Sequence, residues 1–174
     1  MITLIAGTNN KNSHTERLAR IYHQALLDAN VEVNYLSLAV LNQYIINEDM
    51  YDKNDNKINL IGDNYFLNSA KLLFVVPEYN GSFPGILKLL IDAMDVKKYL
   101  YFKKAAIVGV ATGRAGNLRG IDHLTSILQH TKITVMPHIL PVSSVHLEID
   151  ETHEFKNERT KMALQLHLKQ FLAF

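Results

Sequence analysis

Apolar positions along this chain fall into two rhythms. Four short runs, Ile2–Ala6, Leu72–Val76, Ala105–Ala111 and Ile133–Leu140, are apolar almost throughout and rich in Ile, Val and Leu. That is the pattern of strands covered on both faces. Val31–Leu36 instead alternates apolar with polar residues and reads as a half-covered edge strand. Between these runs the spacing turns helical, over Thr15–Ala29, Leu60–Ser69, Pro84–Asp95 and Leu118–His130, and Lys156–Phe171 closes the chain. Strand and helix therefore alternate from end to end. The alternation predicts a doubly wound α/β fold, a three-layer sandwich around five parallel strands in the order 2-1-3-4-5. No repeat or linker-like stretch divides the chain, so residues 1–174 read as one domain. Gln43–Lys57, polar and rich in Asn and Asp, reads as a surface excursion.

An open parallel sheet of this order binds ligands beyond the carboxyl ends of its strands, where the chain changes direction. The loops after strands 1, 3 and 4 meet there, and their composition is unusual. In "GTNNKNSHT" (7–15), Gly7 allows a tight exit from the strand. Ser13 and Glu16 form an S-x-x-E capping pattern that starts a helix near His14. Free amides at that helix start, with the hydroxyls of Thr8, Ser13 and Thr15, suit a phosphate; the same hydroxyls also serve as simple caps. The Gly-Lys-Ser/Thr ending of a nucleotide P-loop is missing, and so is the G-x-G-x-x-G of dinucleotide sites.

The second loop, "PEYNGSFPG" (77–85), carries the turn pair Asn80-Gly81, both tolerant of positive φ. Pro77 ends the strand, and Pro84 fits the first turn of a helix. The loop is long for a strand-to-helix connection, and its backbone groups at Gly81 and Ser82 are placed to read a flat heteroaromatic ligand. The third loop, "ATGRAGNLRG" (111–120), has three glycines within eight residues, which lets backbone come close to a ligand.

Bulk properties narrow the chemistry further. The formal net charge is +1, which gives no footprint for nucleic acid or an acidic membrane surface. The absence of cysteine excludes disulfides, thiolate nucleophiles and CxxC metal sites. His123, His130, His138, His146 and His153 recur at intervals of seven or eight, but they fall on a helix, a strand and a loop and share no ligand spacing. No apolar run approaches the roughly 20 residues of a membrane helix. A soluble, cytoplasmic protein is the expectation.

Two motifs carry a resemblance. "GTNNKNSHTERLA" resembles the G-S-x-R-x-x-S-x-N/T-x-x-L-A stretch of the NADPH-dependent FMN reductase family, and "PEYNGSFPGILKLLIDAMD" resembles that family's P-E-Y-N-G-S-x-P-G-x-L-K-N-A-I-D-W. The resemblance implies a flavodoxin-like fold, bound FMN, NADPH or NADH as co-substrate, and a homodimer or dimer of dimers. Carried over by position, Thr8, Asn10, Ser13, His14 and Thr15 would surround the phosphate. Pro77, Glu78, Tyr79, Asn80, Gly81 and Ser82 would line the isoalloxazine, with the Gly81 amide near its N5. Thr112, Gly113 and Gly116 would follow the pyrimidine side. Asn10 stands where the family usually has arginine, and the tryptophan that ends the second motif is absent. The implied reaction is a ping-pong transfer of two electrons from the nicotinamide nucleotide to a quinone, azo compound, free flavin or metal oxyanion. The flavin N5 carries the hydride, and no side-chain acid, base or nucleophile is required. Rival classes are a non-enzymatic electron carrier, which the near-neutral charge disfavours, and a family member that binds no flavin.

Overall fold

The computed structural model describes residues 1–43, 50–52 and 57–174 of the chain. Most of the excursion expected over Gln43–Lys57 lies outside the described residues. The remainder follows the alternation read from the sequence: β1 (Ile2–Ala6), α1 (His14–Asp28), β2 (Val33–Ser37), α2 (Lys57–Ile61), β3 (Lys71–Pro77), α3 (Gly85–Ala93), α4 (Val96–Tyr99), β4 (Lys104–Val110), α5 (Leu118–His130), β5 (Thr134–Val135), β6 (Leu140–Val142), α6 (Val145–Glu148) and α7 (Glu158–Ala173). All strand pairs are parallel, and the order is β2-β1-β3-β4-β5 with β6 also on β4. This is the flavodoxin-like three-layer sandwich.

Strand residues point alternately to two faces, and each face has its own core. Leu72, Phe74 and Val76 of β3 pack with Leu87 and Leu90 of α3 and Leu124 of α5. Leu73 and Val75 pack with Leu18 and Leu26 of α1 and Leu164 and Phe171 of α7. Burying each such side chain contributes about 1.5–3 kcal/mol; the buried polar side chain of β1, Thr3, is accommodated by hydrogen bonds to the Tyr65 carbonyl and Ser69.

Several boundaries shift by a residue or two, and four differences have a clear local reason. The fifth strand, expected over Ile133–Leu140, is broken into β5 and β6. Pro137, which lacks the N–H that a ladder needs, stands between them, and the two pieces pair with successive stretches of β4. The helix expected over Pro84–Asp95 is two helices. Met94 is extended (φ −77°, ψ 152°) and Asp95 caps α4, accepting from the Lys97 and Lys98 amides at 3.0 and 3.2 Å. The helix expected over Leu60–Ser69 begins as α2 at Lys57 and continues as a π-helical turn over Gly62–Phe66. Gly62 permits that turn to lie against Tyr99, since a Cβ there would fall 2.5 Å from the tyrosine ring. Finally, β3 runs through Pro77, which stands opposite Val110, and Glu78 N–H still donates to Val110 O at 2.9 Å. Pro77 belongs to the strand.

Candidate functional site

The loops after β1, β3 and β4 emerge together at the carboxyl edge of the sheet. Gly7 N–H donates to Val75 O at 2.8 Å, and a Cβ on Gly7 would lie 2.6 Å from Val76 Cγ1. The first loop therefore leaves β1 pressed against β3. Thr8 is fully buried; its hydroxyl accepts from Asn10 N–H at 3.2 Å and shares a 2.7 Å hydrogen bond with the Tyr79 hydroxyl. That bond ties the first loop to the second.

Helix α1 starts at His14, where the capping pattern put it. Ser13 Oγ accepts from Glu16 N–H at 3.1 Å. The pattern is only half closed, however. The Glu16 carboxylate turns away to accept from Tyr35 Oη at 2.7 Å, Ser37 Oγ at 3.0 Å and Arg20 Nη2 at 3.0 Å, pinning α1 to β2. Burial and this carboxylate push the Tyr35 hydroxyl up from its ordinary pKa. The earlier amides of α1 have no partner within the helix. Asn10 shapes the approach to them: its Oδ1 accepts from Asn12 N–H at 3.2 Å and its carbonyl from Ser13 N–H at 3.3 Å. Thr15 is buried in the first helical turn.

Basic side chains gather around this helix start. Burial lowers the His14 pKa, and Arg17, His146 and Lys156 lower it further, in that order. The Nδ1 of His14 is buried and has no hydrogen-bond partner. Arg17 and Lys156, positive near a helix N-terminus, oppose the helix dipole, so an anion seated there would relieve the arrangement. His146 and Lys156 are remote in sequence, and nothing in the motif pointed to them.

The second loop is a tight two-residue turn. Tyr79 and Ser82 exchange backbone bonds at 2.8 and 3.2 Å. Asn80 and Gly81 between them have φ of 53° and 78°, the pairing of a type I′ turn. Pro84 is the residue before the helix, not its first residue, and α3 opens at Gly85. Two side chains from α5 reach this turn. Arg119 lies over Gly81, where a Cβ would stand 3.2 Å from its Nη2, and it faces Glu78 at 3.9 Å. His123 Nδ1 shares a 2.9 Å hydrogen bond with Ser82 Oγ.

The third loop is clamped from both sides. A Cβ on Gly116 would come 2.7 Å from Pro141 Cβ, while a Cβ on Gly109 of β4 would come 2.3 Å from Gly116 O. Asn117, fully buried with φ of 68°, donates from Nδ2 to Val76 O at 3.0 Å, holding the loop to the end of β3. Gly113 faces open space, and Thr112 is exposed beside it. Thus the predicted residues of all three loops converge on one edge. Sequence reasoning missed Asn117, Arg119 and His123. The Gly-Asn pair at 116–117 was a signal for the first of these, because asparagine after glycine tolerates the left-handed region.

Among the described residues, no three His, Asp or Glu side chains gather as a metal-ligand set, and no helix is long and apolar enough to cross a membrane.

Sheet order and loop placement define a flavodoxin-like ligand-binding sandwich. Residues 1–146 match the NADPH-dependent FMN reductase family, and the chain belongs to that family, oxidoreductases that use FMN with a nicotinamide nucleotide as electron donor. A 2-hydroxy-1,4-benzoquinone reductase of a Burkholderia species is 24% identical to it over 178 residues, spanning 99% of this chain and 94% of the relative. An NAD(P)H-dependent FMN reductase of Pseudomonas aeruginosa is 30% identical over 102 residues, 56% of this chain and 55% of that protein. Among solved structures, a flavoenzyme NAD(P)H:(acceptor) oxidoreductase of Paracoccus denitrificans has a TM-score of 0.82 at 21% identity, covering 99% of this chain and 94% of its own.

Proposed function

We propose that this chain, as one domain, holds one FMN at the three loops and passes two electrons from NADPH or NADH to a small quinone by a ping-pong cycle. The observation that carries the reading is the junction of the first two loops. The Thr8–Tyr79 bond joins a helix start flanked by Arg17, His146 and Lys156 to the Asn80-Gly81 turn, over which Arg119 lies. A phosphate fits the first and a flat ring system the second. His14 Nδ1, buried without a partner, is a group that such a phosphate would satisfy. Arg17 and Lys156 take over the work of the arginine that Asn10 replaces.

FMN, when bound, supplies hydride chemistry. The chain's own work is placement. Ser13 and the α1 amides orient an anion, the Asn80-Gly81 turn presents backbone to a ring edge, and Gly113 leaves room beside it. A quinone is favoured as acceptor because the Burkholderia relative, matched along nearly the whole chain, is a hydroxybenzoquinone reductase. A homodimer in the cytoplasm completes the proposal.

The test is reconstitution. Purified protein should retain about one FMN per chain after desalting, NADPH should bleach the flavin anaerobically, and a quinone should restore it. Reduction by dithionite or a protein partner alone would favour an electron carrier; a colourless product would favour a member without flavin. Two variants probe the junction. Thr8→Val removes the hydroxyl that Asn10 N–H and Tyr79 share; it should weaken FMN binding about fivefold, a hydrogen bond's typical ~1 kcal/mol, and lower the apoprotein melting temperature as well. Gly81→Val places a branched side chain at φ 78°, straining the turn by about 1–2 kcal/mol. It should lower FMN affinity well beyond its effect on the apoprotein melting temperature, as read by titration and thermal unfolding.

A further inference from the structure

We infer that Arg119 selects the electron acceptor by charge, favouring quinones that carry an ionised oxygen over neutral ones; the inference rests on the quinone-reducing reading above. Arg119 is the second residue of α5, where the helix dipole opposes a cation. Asn117, the residue before the helix, provides no side-chain cap. The position therefore costs stability, and the packing of Arg119 returns little. Its side chain is 76% exposed, and its ion-pair partner Glu78 stands at 3.9 Å, beyond hydrogen-bond reach. What its position does achieve is placement. The guanidinium lies over Gly81, within 3.2–3.6 Å of where a Cβ would be, at the seam between the second and third loops. Arg114 of the third loop and His123 of α5 are also exposed, and His123 bonds Ser82 of the turn.

A planar guanidinium presents donors that match two oxygens at once. A hydroxyquinone is a vinylogous acid, ionised at neutral pH, and one of its charged oxygens stands beside a ring carbonyl oxygen, so the two together can face the guanidinium. Pairing with Arg119 would hold that anion at the Gly81 turn, where a neutral quinone offers only carbonyl acceptors. The pairing also offsets the repulsion that a second incoming charge would meet. Two-electron reduction of the ionised hydroxyquinone adds a hydride and one proton to give the hydroquinone monoanion, and a second proton gives the neutral hydroquinone. The nicotinamide nucleotide is the ultimate reductant, and both protons come from solvent.

The experiment compares FMN-loaded parent, Arg119→Gln and Arg119→Lys with 2-hydroxy-1,4-benzoquinone and 1,4-benzoquinone. Arg119→Gln should lower kcat/KM for the hydroxyquinone tenfold or more, largely through KM, and leave benzoquinone within twofold. Arg119→Lys should recover part of the loss, and raised salt should erode the parent's preference. Binding of the hydroxyquinone to oxidised protein without nicotinamide nucleotide, followed by fluorescence quenching, should weaken in parallel. Equal losses with both quinones, no loss with either, or a loss confined to the KM for NADPH would each overturn the assignment to the acceptor. A parent that reduces neither quinone overturns the underlying reading, and the inference with it.

Discussion

Gly109→Ala should cost the protein about 3 kcal/mol, as overpacking of a tight site does, or roughly 10 °C of melting temperature at this length. It should also weaken FMN binding more than tenfold. The reason is geometric. A Cβ at Gly109 would sit 2.3 Å from Gly116 O and 2.6 Å from Ile121 Cδ1. The isoleucine tip can rotate, but the carbonyl belongs to the third loop. That loop has no room to retreat, because Gly116 already lies against Pro141 on its other side. The new methyl must therefore displace β4, the loop or β6. Thermal unfolding of the apoprotein and FMN titration of the same variant check the two effects. A variant that melts with the parent would show that the loop is not clamped. By contrast, Gly113→Ala adds a methyl into open space and serves as the control.

The second large effect is acid destabilisation through His167. This residue is fully buried on α7, its Nδ1 bonded to the Tyr22 hydroxyl at 3.0 Å and its Nε2 without a partner. Burial first, and His138 second, lower its pKa to about 4. The His138 ring centroid is 5.6 Å away, and His138 itself bonds Gln170. Burial also raises the pKa of Tyr22, so that group stays neutral throughout. An unfolded chain binds a proton at this histidine near pH 6.5, whereas the folded chain binds it only near 4. The unfolded state therefore holds more protons between those values, and stability falls as pH falls. The loss from pH 7 to about 4 approaches about 3 kcal/mol for the 2.5 units involved. Urea unfolding at pH 7, 5.5 and 4.5 should show the decline, and His167→Gln should flatten it. An unchanged acid limb in that variant would assign the decline to other groups.

The strands of the central sheet were legible because burial on both faces leaves a nearly continuous apolar run, interrupted in β1 only by Thr3. Ile2–Ala6 and Leu118–His130 were read from sequence with the boundaries they have in the structure. The start of α1 was legible from Ser13, since capping is a local interaction. Glu16 was not: its partners Tyr35 and Ser37 are about twenty residues on, and spacing within one helix does not reveal a strand on its far side. The same limit explains the site. Turn chemistry at Asn80-Gly81 and glycines in the third loop are local signals. His146 and Lys156 reach the first loop only through the fold, and Arg119 reaches Gly81 from a different helix. Pro137 was inside a stretch read as continuous strand, where its missing N–H outweighs the apolar residues around it.

That break at Pro137 bears on how the protein behaves when concentrated. The fifth position is an outer edge of the sheet, and a continuous edge strand is a template on which another chain can add a strand of its own. Here the edge is cut into pieces of two and three residues, and the longer piece has Pro141 at its centre. Neither fragment presents an unbroken row of donors and acceptors, so a neighbouring molecule finds no register to extend. The interruption that shortens the strand thus works against edge-to-edge aggregation on this side of the molecule.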